Sequence, residues 1–184
     1  DLLDWSAGGM AGPGRTSAIG GTVLRSGGDK TLSQRTLDTG EAVTWLDSST
    51  LYLDADAVWN NLAGTVFEVN ANALIEGAGA VGSFTVGTFN NAGTLVQRAG
   101  VDTTEFGSGV VFNNSNLVTL EAGSLTLSGG GTHTGSFTGQ AGTRLVLDGF
   151  LTQSFQAGSS IAMPDLTIAG AGANFVQGAA YNVS

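Results

Sequence analysis

Apolar and polar residues alternate along this chain in bursts of three to five, and nowhere do they fall into the three-to-four spacing of an amphipathic helix. The clearest bursts lie in the middle: Thr65-Val66-Phe67-Glu68-Val69, Ala73-Leu74-Ile75, Ser83-Phe84-Thr85-Val86, Thr94-Leu95-Val96, Leu117-Val118-Thr119-Leu120 and Ser124-Leu125-Thr126-Leu127. A period of two turns one side of an extended segment inward and the other to water, so each burst predicts a short strand. Ala42-Val43-Thr44-Trp45 and Thr50-Leu51-Tyr52-Leu53 precede them. Arg144-Leu145-Val146-Leu147, Asp165-Leu166-Thr167-Ile168 and Ala173-Asn174-Phe175-Val176 follow in the same grammar. Residues 1–40 read as less regular coils, one to two of them from Trp5 to Gly28, where Gly8-Gly9, Gly12-Pro13-Gly14 and Gly20-Gly21 punctuate the chain; 41–184 is the regular part. No linker divides the two, and the whole is one segment.

The punctuation between strands repeats. Trp59-Asn60-Asn61-Leu62-Ala63-Gly64-Thr65, Phe89-Asn90-Asn91-Ala92-Gly93-Thr94 and Phe112-Asn113-Asn114-Ser115 each join an aromatic strand end to two turn-forming asparagines, and Ala141-Gly142-Thr143 repeats the second half. The intervals are 30 residues from Trp59 to Phe89 and 23 from Phe89 to Phe112. Gly82-Ser83-Phe84-Thr85 and Gly135-Ser136-Phe137-Thr138 are likewise 53 apart, and the same offset lays Glu68 on Glu121 and Gly77 on Gly130. Two coils per superperiod is the simplest account.

Strands this short need neighbours, and stacked coils supply one above and one below at about 4.8 Å. The predicted fold is an all-β parallel β-helix, a β-solenoid of roughly seven or eight short coils. A β-sandwich is the alternative, since it too uses short strands with frequent turns. In a solenoid like residues stack: Asn61, Asn91 and Asn114 would form a structural corner ladder through their amides, with Trp59, Phe89 and Phe112 stacked inside it.

Composition sharpens this picture. The chain has 184 residues, 30 of them glycine and only 2 proline, with 41% hydrophobic and 11% charged. Glycine without a collagen triplet, beside abundant Thr, Ser, Val and Leu, suits short strands and tight turns. A net charge of -9 argues against nucleic acid and anionic membranes as partners, and no apolar run approaches the ~18 residues of a spanning helix. Cysteine is absent, which removes disulfides and thiolate chemistry. The opening Asp1-Leu2-Leu3-Asp4-Trp5 lacks an initiator methionine and reads as a processed piece or an excerpt.

The run Trp5-Ser6-Ala7-Gly8-Gly9-Met10, the Lys30-Thr31-Leu32 and Arg35-Thr36-Leu37 segment, Phe89-Asn90-Asn91-Ala92-Gly93-Thr94-Leu95 and Ser128-Gly129-Gly130-Gly131-Thr132 resemble large repetitive bacterial surface proteins of the filamentous-haemagglutinin and autotransporter-passenger type. The resemblance implies a right-handed parallel β-helix in an extracellular, cell-surface setting, and carries no catalytic residue across. Asn116-Leu117 departs from the Gly-Thr step at this corner.

No motif supplies chemistry. Asp54 and Asp56 would share a strand face about 6 to 7 Å apart, the separation of a glycosidase pair, yet no third charged group accompanies them. Asp47, Asp54 and Asp56 are candidates for adventitious Ca²⁺; no dedicated metal site or cofactor is expected, because a hard cation wants about six converging oxygens. His133, the sole histidine, reads as a surface turn residue in Gly131-Thr132-His133-Thr134-Gly135, and Lys30, the sole lysine, leaves little material for isopeptide cross-linking.

The expectation is therefore a non-enzymatic structural segment of a bacterial extracellular surface protein or filament. It would stack on itself head-to-tail or continue a longer array, with adhesion as an added role. The alternative is a carbohydrate-binding or carbohydrate-cleaving β-helix, with Trp5, Trp45, Tyr52 or Tyr181 stacking on host or environmental glycans.

Overall fold

The computed structural model describes residues 1–77, 86–170, 173–175 and 178–183, which form strands and no helix. Each coil is a triangle. The first carries β1 (Leu3–Trp5) and the long, bent β2 (Gly8–Ala18); the second carries β3 (Thr22–Leu24) and the equally long β4 (Lys30–Thr39). From there each coil has three strands. The third has β5 (Ala42–Trp45), β6 (Thr50–Asp54) and β7 (Val58–Asn61), and the fourth β8 (Val66–Val69), β9 (Ala73–Glu76) and β10 (Gly87–Asn91). The fifth has β11 (Thr94–Gln97), β12 (Thr103–Phe106) and β13 (Val110–Asn114), and the sixth β14 (Leu117–Leu120), β15 (Ser124–Leu127) and β16 (Gly131–His133). The seventh has β17 (Ser136–Gly139), β18 (Arg144–Leu147) and β19 (Gln153–Phe155), and the eighth β20 (Ser160–Met163), β21 (Asp165–Ile168) and β22 (Ala173–Phe175); β23 (Ala180–Val183) follows.

All of the described pairings are parallel, each strand bonding its counterpart one coil away. The first face runs β1-β3-β5-β8-β11-β14-β17-β20-β23. The second and third faces are joined because β4 pairs β6 through Lys30–Ser33 and β7 through Thr36–Thr39. The protein is thus a parallel β-helix of about eight turns. The coils in 1–40 belong to the same ladders, with one register shift between Ala11 and Gly14.

Register explains why the sequence repeat drifts. On the first face the steps from Phe67 to Leu95 and from Leu95 to Val118 are 28 and 23 residues, a sum of 51, whereas two coils on the third face span 30 plus 23, or 53. Glu68 therefore shares its column with Thr119, through Val96, instead of Glu121. Strand lengths are held and corners absorb the difference. The Gly82–Thr85 copy lies outside the described residues.

The core is a set of inward columns. Leu3, Thr22, Val43, Phe67, Leu95, Val118, Phe137 and Ile161 follow one another up the first face. Trp59, Phe67, Phe89, Phe106 and Phe112, all at most 1% exposed, mesh in stacked and edge-on contacts with centroids 4.3 to 6.0 Å apart. Burying each such ring contributes about 1.5 to 3 kcal/mol, so the interior of the rod is its main source of stability.

Candidate functional site

The chain bends from the third face to the first just after the paired asparagines, and there the inner column is built. Asn61, Asn91 and Asn114 occupy successive register positions and are at most 1% exposed. Asn61 Nδ2 donates to Asn91 Oδ1 at 2.7 Å, and Asn91 Nδ2 donates to Asn114 Oδ1 at 2.8 Å and to the Leu117 carbonyl at 3.0 Å. Each amide thus fastens one coil to the next and also holds the strand that leaves the corner. Trp59, Phe89 and Phe112 lie two residues earlier in one column, with Trp59 and Phe89 stacked at 6.0 Å and 15° and Phe89 and Phe112 tilted at 5.8 Å and 32°. Gly93 seals the corner: a Cβ there would lie 2.3 Å from the Thr65 carbonyl oxygen and 2.6 Å from that of Leu62, so only glycine fits. Ala141-Gly142-Thr143 stands instead at the corner between β17 and β18, leading from the first face to the second.

A second ladder runs outside the first. Asn113 Nδ2 donates to Asn90 Oδ1, Asn90 Nδ2 to Asn60 Oδ1 and Asn60 Nδ2 to Asp38 Oδ1, at 2.8 to 2.9 Å, and Arg15 closes the row on Asp38. The inner amides donate towards later coils and the outer ones towards earlier coils, so the two rows of dipoles oppose and partly cancel. Burial works to raise the Asp38 carboxyl, but hydrogen bonds from Arg15 and Asn60 win and hold it below the ordinary value. The first asparagine of each pair carries this outer row, which the paired spelling allows because adjacent strand residues face opposite ways.

At the sixth coil the columns exchange. Asn114 is followed in register by His133 and then by Phe155, so the amide column becomes aromatic. Gly131 follows Phe112, where a Cβ would come within 1.9 Å of the Phe112 carbonyl oxygen, and is followed by Gln153, so the aromatic column becomes polar. His133 is therefore a fully buried side chain, not a surface turn residue. Its ring packs against Phe112, Phe137 and Phe155 with centroids at 6.1, 5.1 and 4.6 Å, and Nε2 bonds Gln153 Oε1 at 2.8 Å. Gln153 Nε2 donates to the Leu127 carbonyl, which fixes its oxygen towards the imidazole and makes Nε2 the protonated nitrogen. Nδ1 is buried without a partner. The Asn116-Leu117 departure sits just below this exchange: Asn114 bonds back to Asn116 and across to the Ser136 carbonyl.

The remaining candidates are mostly spent on the fold. Lys30 continues the inward column with Leu51, is wholly buried, and reaches Ser49 Oγ at 2.7 Å, the Gly28 carbonyl at 3.1 Å and Asp47 Oδ2 at 3.3 Å. Asp47 also accepts from Trp45 Nε1. Trp5 and Trp45 are 6% and 0% exposed and offer no sugar platform, whereas Tyr52 is half-buried and Tyr181 exposed. Asp54 ends β6, and Ala55 and Asp56 take left-handed φ of 48° and 62°, so the two carboxylates do not share an extended face. Glu68 and Glu121 grip Arg98 from the coils on either side, which raises the guanidinium pKa. On the second face Glu105 is raised by burial, then by the charges of Glu76 and Asp148, and these three border an open groove beside Phe150, which is 93% exposed. Among the described residues no three His, Cys, Asp or Glu side chains converge as a metal site would require. No protein-family model matches the chain, and comparison with curated proteins and with solved structures finds no match.

Proposed function

We propose that this chain is a non-enzymatic structural module, a stiff acidic rod segment of a bacterial extracellular surface protein or filament, with an adhesive role where its faces meet a target. The observation that carries this is the continuous set of parallel ladders among the described residues, in which the distinctive polar side chains bond along the rod. Two amide rows, Lys30 and the indoles of Trp5, Trp45 and Trp59 are all consumed internally. The bacterial surface setting rests on the sequence resemblance alone.

Assembly fits the same picture. The inward columns of the first face reach β23, where Tyr181 and Val183 stand over Ile161 and Met163 yet are 66% and 47% exposed, so a further coil laid there would cover apolar surface. That coil belongs to a longer array or to a second copy stacked head-to-tail, the arrangement that builds open filaments.

A carbohydrate-binding role is the second reading, favoured by the groove where Phe150 adjoins Glu76, Glu105 and Asp148. One experiment separates the two: small-angle scattering and electron microscopy of the purified chain over a concentration series, with glycan-array and reducing-end assays on the same sample. A rod with an axial repeat near 4.8 Å and no turnover is expected. Release of reducing ends from a polysaccharide would overturn the structural reading, and saturable glycan binding lost in Phe150→Ala would establish the second.

A further inference from the structure

Three titratable side chains are buried among the described residues: Lys30, Asp38 and His133. Lys30 faces Asp47 and Asp38 faces Arg15. His133 faces no charge. The elements packed on it present Phe112 and Asn114 from β13, Phe137 from β17, and Gln153 and Phe155 from β19. Of the carboxylates on its own and the adjacent coils, Glu121 is held by Arg98 and the Ala99 amide and Asp148 by the Gly149 amide. Glu105 and Asp102 line grooves on the second face, Glu105 beside Glu76 and Asp148 and Asp102 beside Arg144 and Asp165.

We infer that His133 makes the rod divisible by acid: on acidification coils six to eight open from the column exchange, while the asparagine-laddered coils before it stay closed. The proton must go to Nδ1, since Nε2 already carries one. The resulting imidazolium would sit in an aromatic box with no anion, and it can reach water only by leaving the stack. Because each coil touches only its neighbours, losing this contact frees the coils on one side without melting those on the other. Burial brings the His133 pKa down to about 4, against the opposing bond from Gln153, whereas the opened coil carries an ordinary histidine near 6.5. The open state therefore binds the extra proton between these values. Closure is at full strength above about pH 6.5 and weakens as pH falls towards 4, by about 80-fold at pH 4.5.

The chain's single histidine makes the test direct. Hydrogen exchange followed by peptide mass spectrometry, corrected for intrinsic rates, is compared at pH 7 and 4.5. Peptides from β16 to β21 are expected to lose on the order of 60-fold in protection relative to peptides from β5 to β10. This extra loss should vanish in His133→Phe combined with Gln153→Leu, which continues the aromatic column, and in His133→Asn, which continues the amide column. The imidazole resonance of the unaltered chain should titrate with a midpoint well below 6.5. Equal protection changes in both regions, an undiminished loss in the variants, or a midpoint at 6.5 would each overturn the inference.

Discussion

Asn91→Ala removes the central rung of the inner ladder, and the structure says how much that rung is worth. The side chain is 1% exposed and makes three bonds: it accepts from Asn61 and donates to Asn114 and to the Leu117 carbonyl. The losses are unequal. Asn114 Oδ1 keeps a contact from the Asn116 amide at 3.3 Å, but Asn61 already has an unpartnered Oδ1 and would lose the one bond its amide makes in the ladder. An orphaned buried polar group costs about 1 to 3 kcal/mol, and water entering the small polar void would recover part of it, so a total of about 3 kcal/mol is expected. In a chain of this size that is roughly 6 to 12 °C in Tm. The control is Asn90→Ala in the half-exposed outer row, where water replaces the lost amide and about 1 kcal/mol or less is expected. Urea unfolding monitored by circular dichroism, with hydrogen exchange of the neighbouring strands to guard against stepwise melting, measures both. If Asn91→Ala falls within about 0.5 kcal/mol of the unaltered chain, or Asn90→Ala matches it, the inner amides do not hold the coils together.

Other substitutions separate the remaining forces. Gly93→Ala should destabilise by about 2 kcal/mol or more, since its Cβ meets backbone, whereas Gly142→Ala, at φ 84° with nothing within 4 Å of the new Cβ, should cost only about 1 kcal/mol of backbone strain by thermal melting. Lys30→Ala should cost about 3 kcal/mol by urea unfolding, because Asp47 is left without its cation and a cavity opens beneath Leu51. Glu105→Gln should raise stability at pH 7. A carboxyl whose folded pKa lies above its unfolded value weakens the fold once ionised, so the gain should disappear in melts below the ordinary carboxylate value of about 4.3.

Much of this fold was legible in the chain because a solenoid writes its register into the sequence. Trp59, Phe89 and Phe112 recur because each lies on the one before, and the asparagines travel with them for the same reason. The outer ladder was spelled in the same dipeptides. Lys30 was misleading as a lone lysine, yet its place two residues before Leu32 put it on the inward side. Trp45, two residues after Val43, was inward by the same count. His133 was hidden by its glycine-rich surroundings, which spell a turn. Aligning Phe137 on Val118 gives a coil of 19 residues, the spacing that also separates Leu3 from Thr22, and the same step from Asn114 lands on His133. The variable coil length, and not weak patterning, concealed it.

The column exchange should also decide which coils can be duplicated. Residues 94–116 form a 23-residue coil, the spacing that separates Leu95 from Val118, so a second copy inserted after Asn116 re-enters the ladders in register. Phe112 then lies on Phe112 and Asn114 on Asn114, contacts already made between Phe89 and Phe112 and between Asn91 and Asn114. Arg98, Asp102 and Glu105 would meet their own copies, so the inserted coil carries Arg98→Gln, Asp102→Asn and Glu105→Thr to avoid like charges on adjacent rungs. Duplicating residues 117–135 is different. His133 of the lower copy would lie under the copied His133, and the copied Gly131 would take the place of Gln153, so two imidazoles would stack with one Gln153 between them and the lower Nε2 proton would be left unpaired in the core. The first insertion is expected to keep or raise the Tm, since each added coil contributes its own interface, and the second to lower it by ~5 °C or more. Equal melting temperatures for the two insertions would show that the exchange is merely tolerated, and that the coils of this rod are interchangeable.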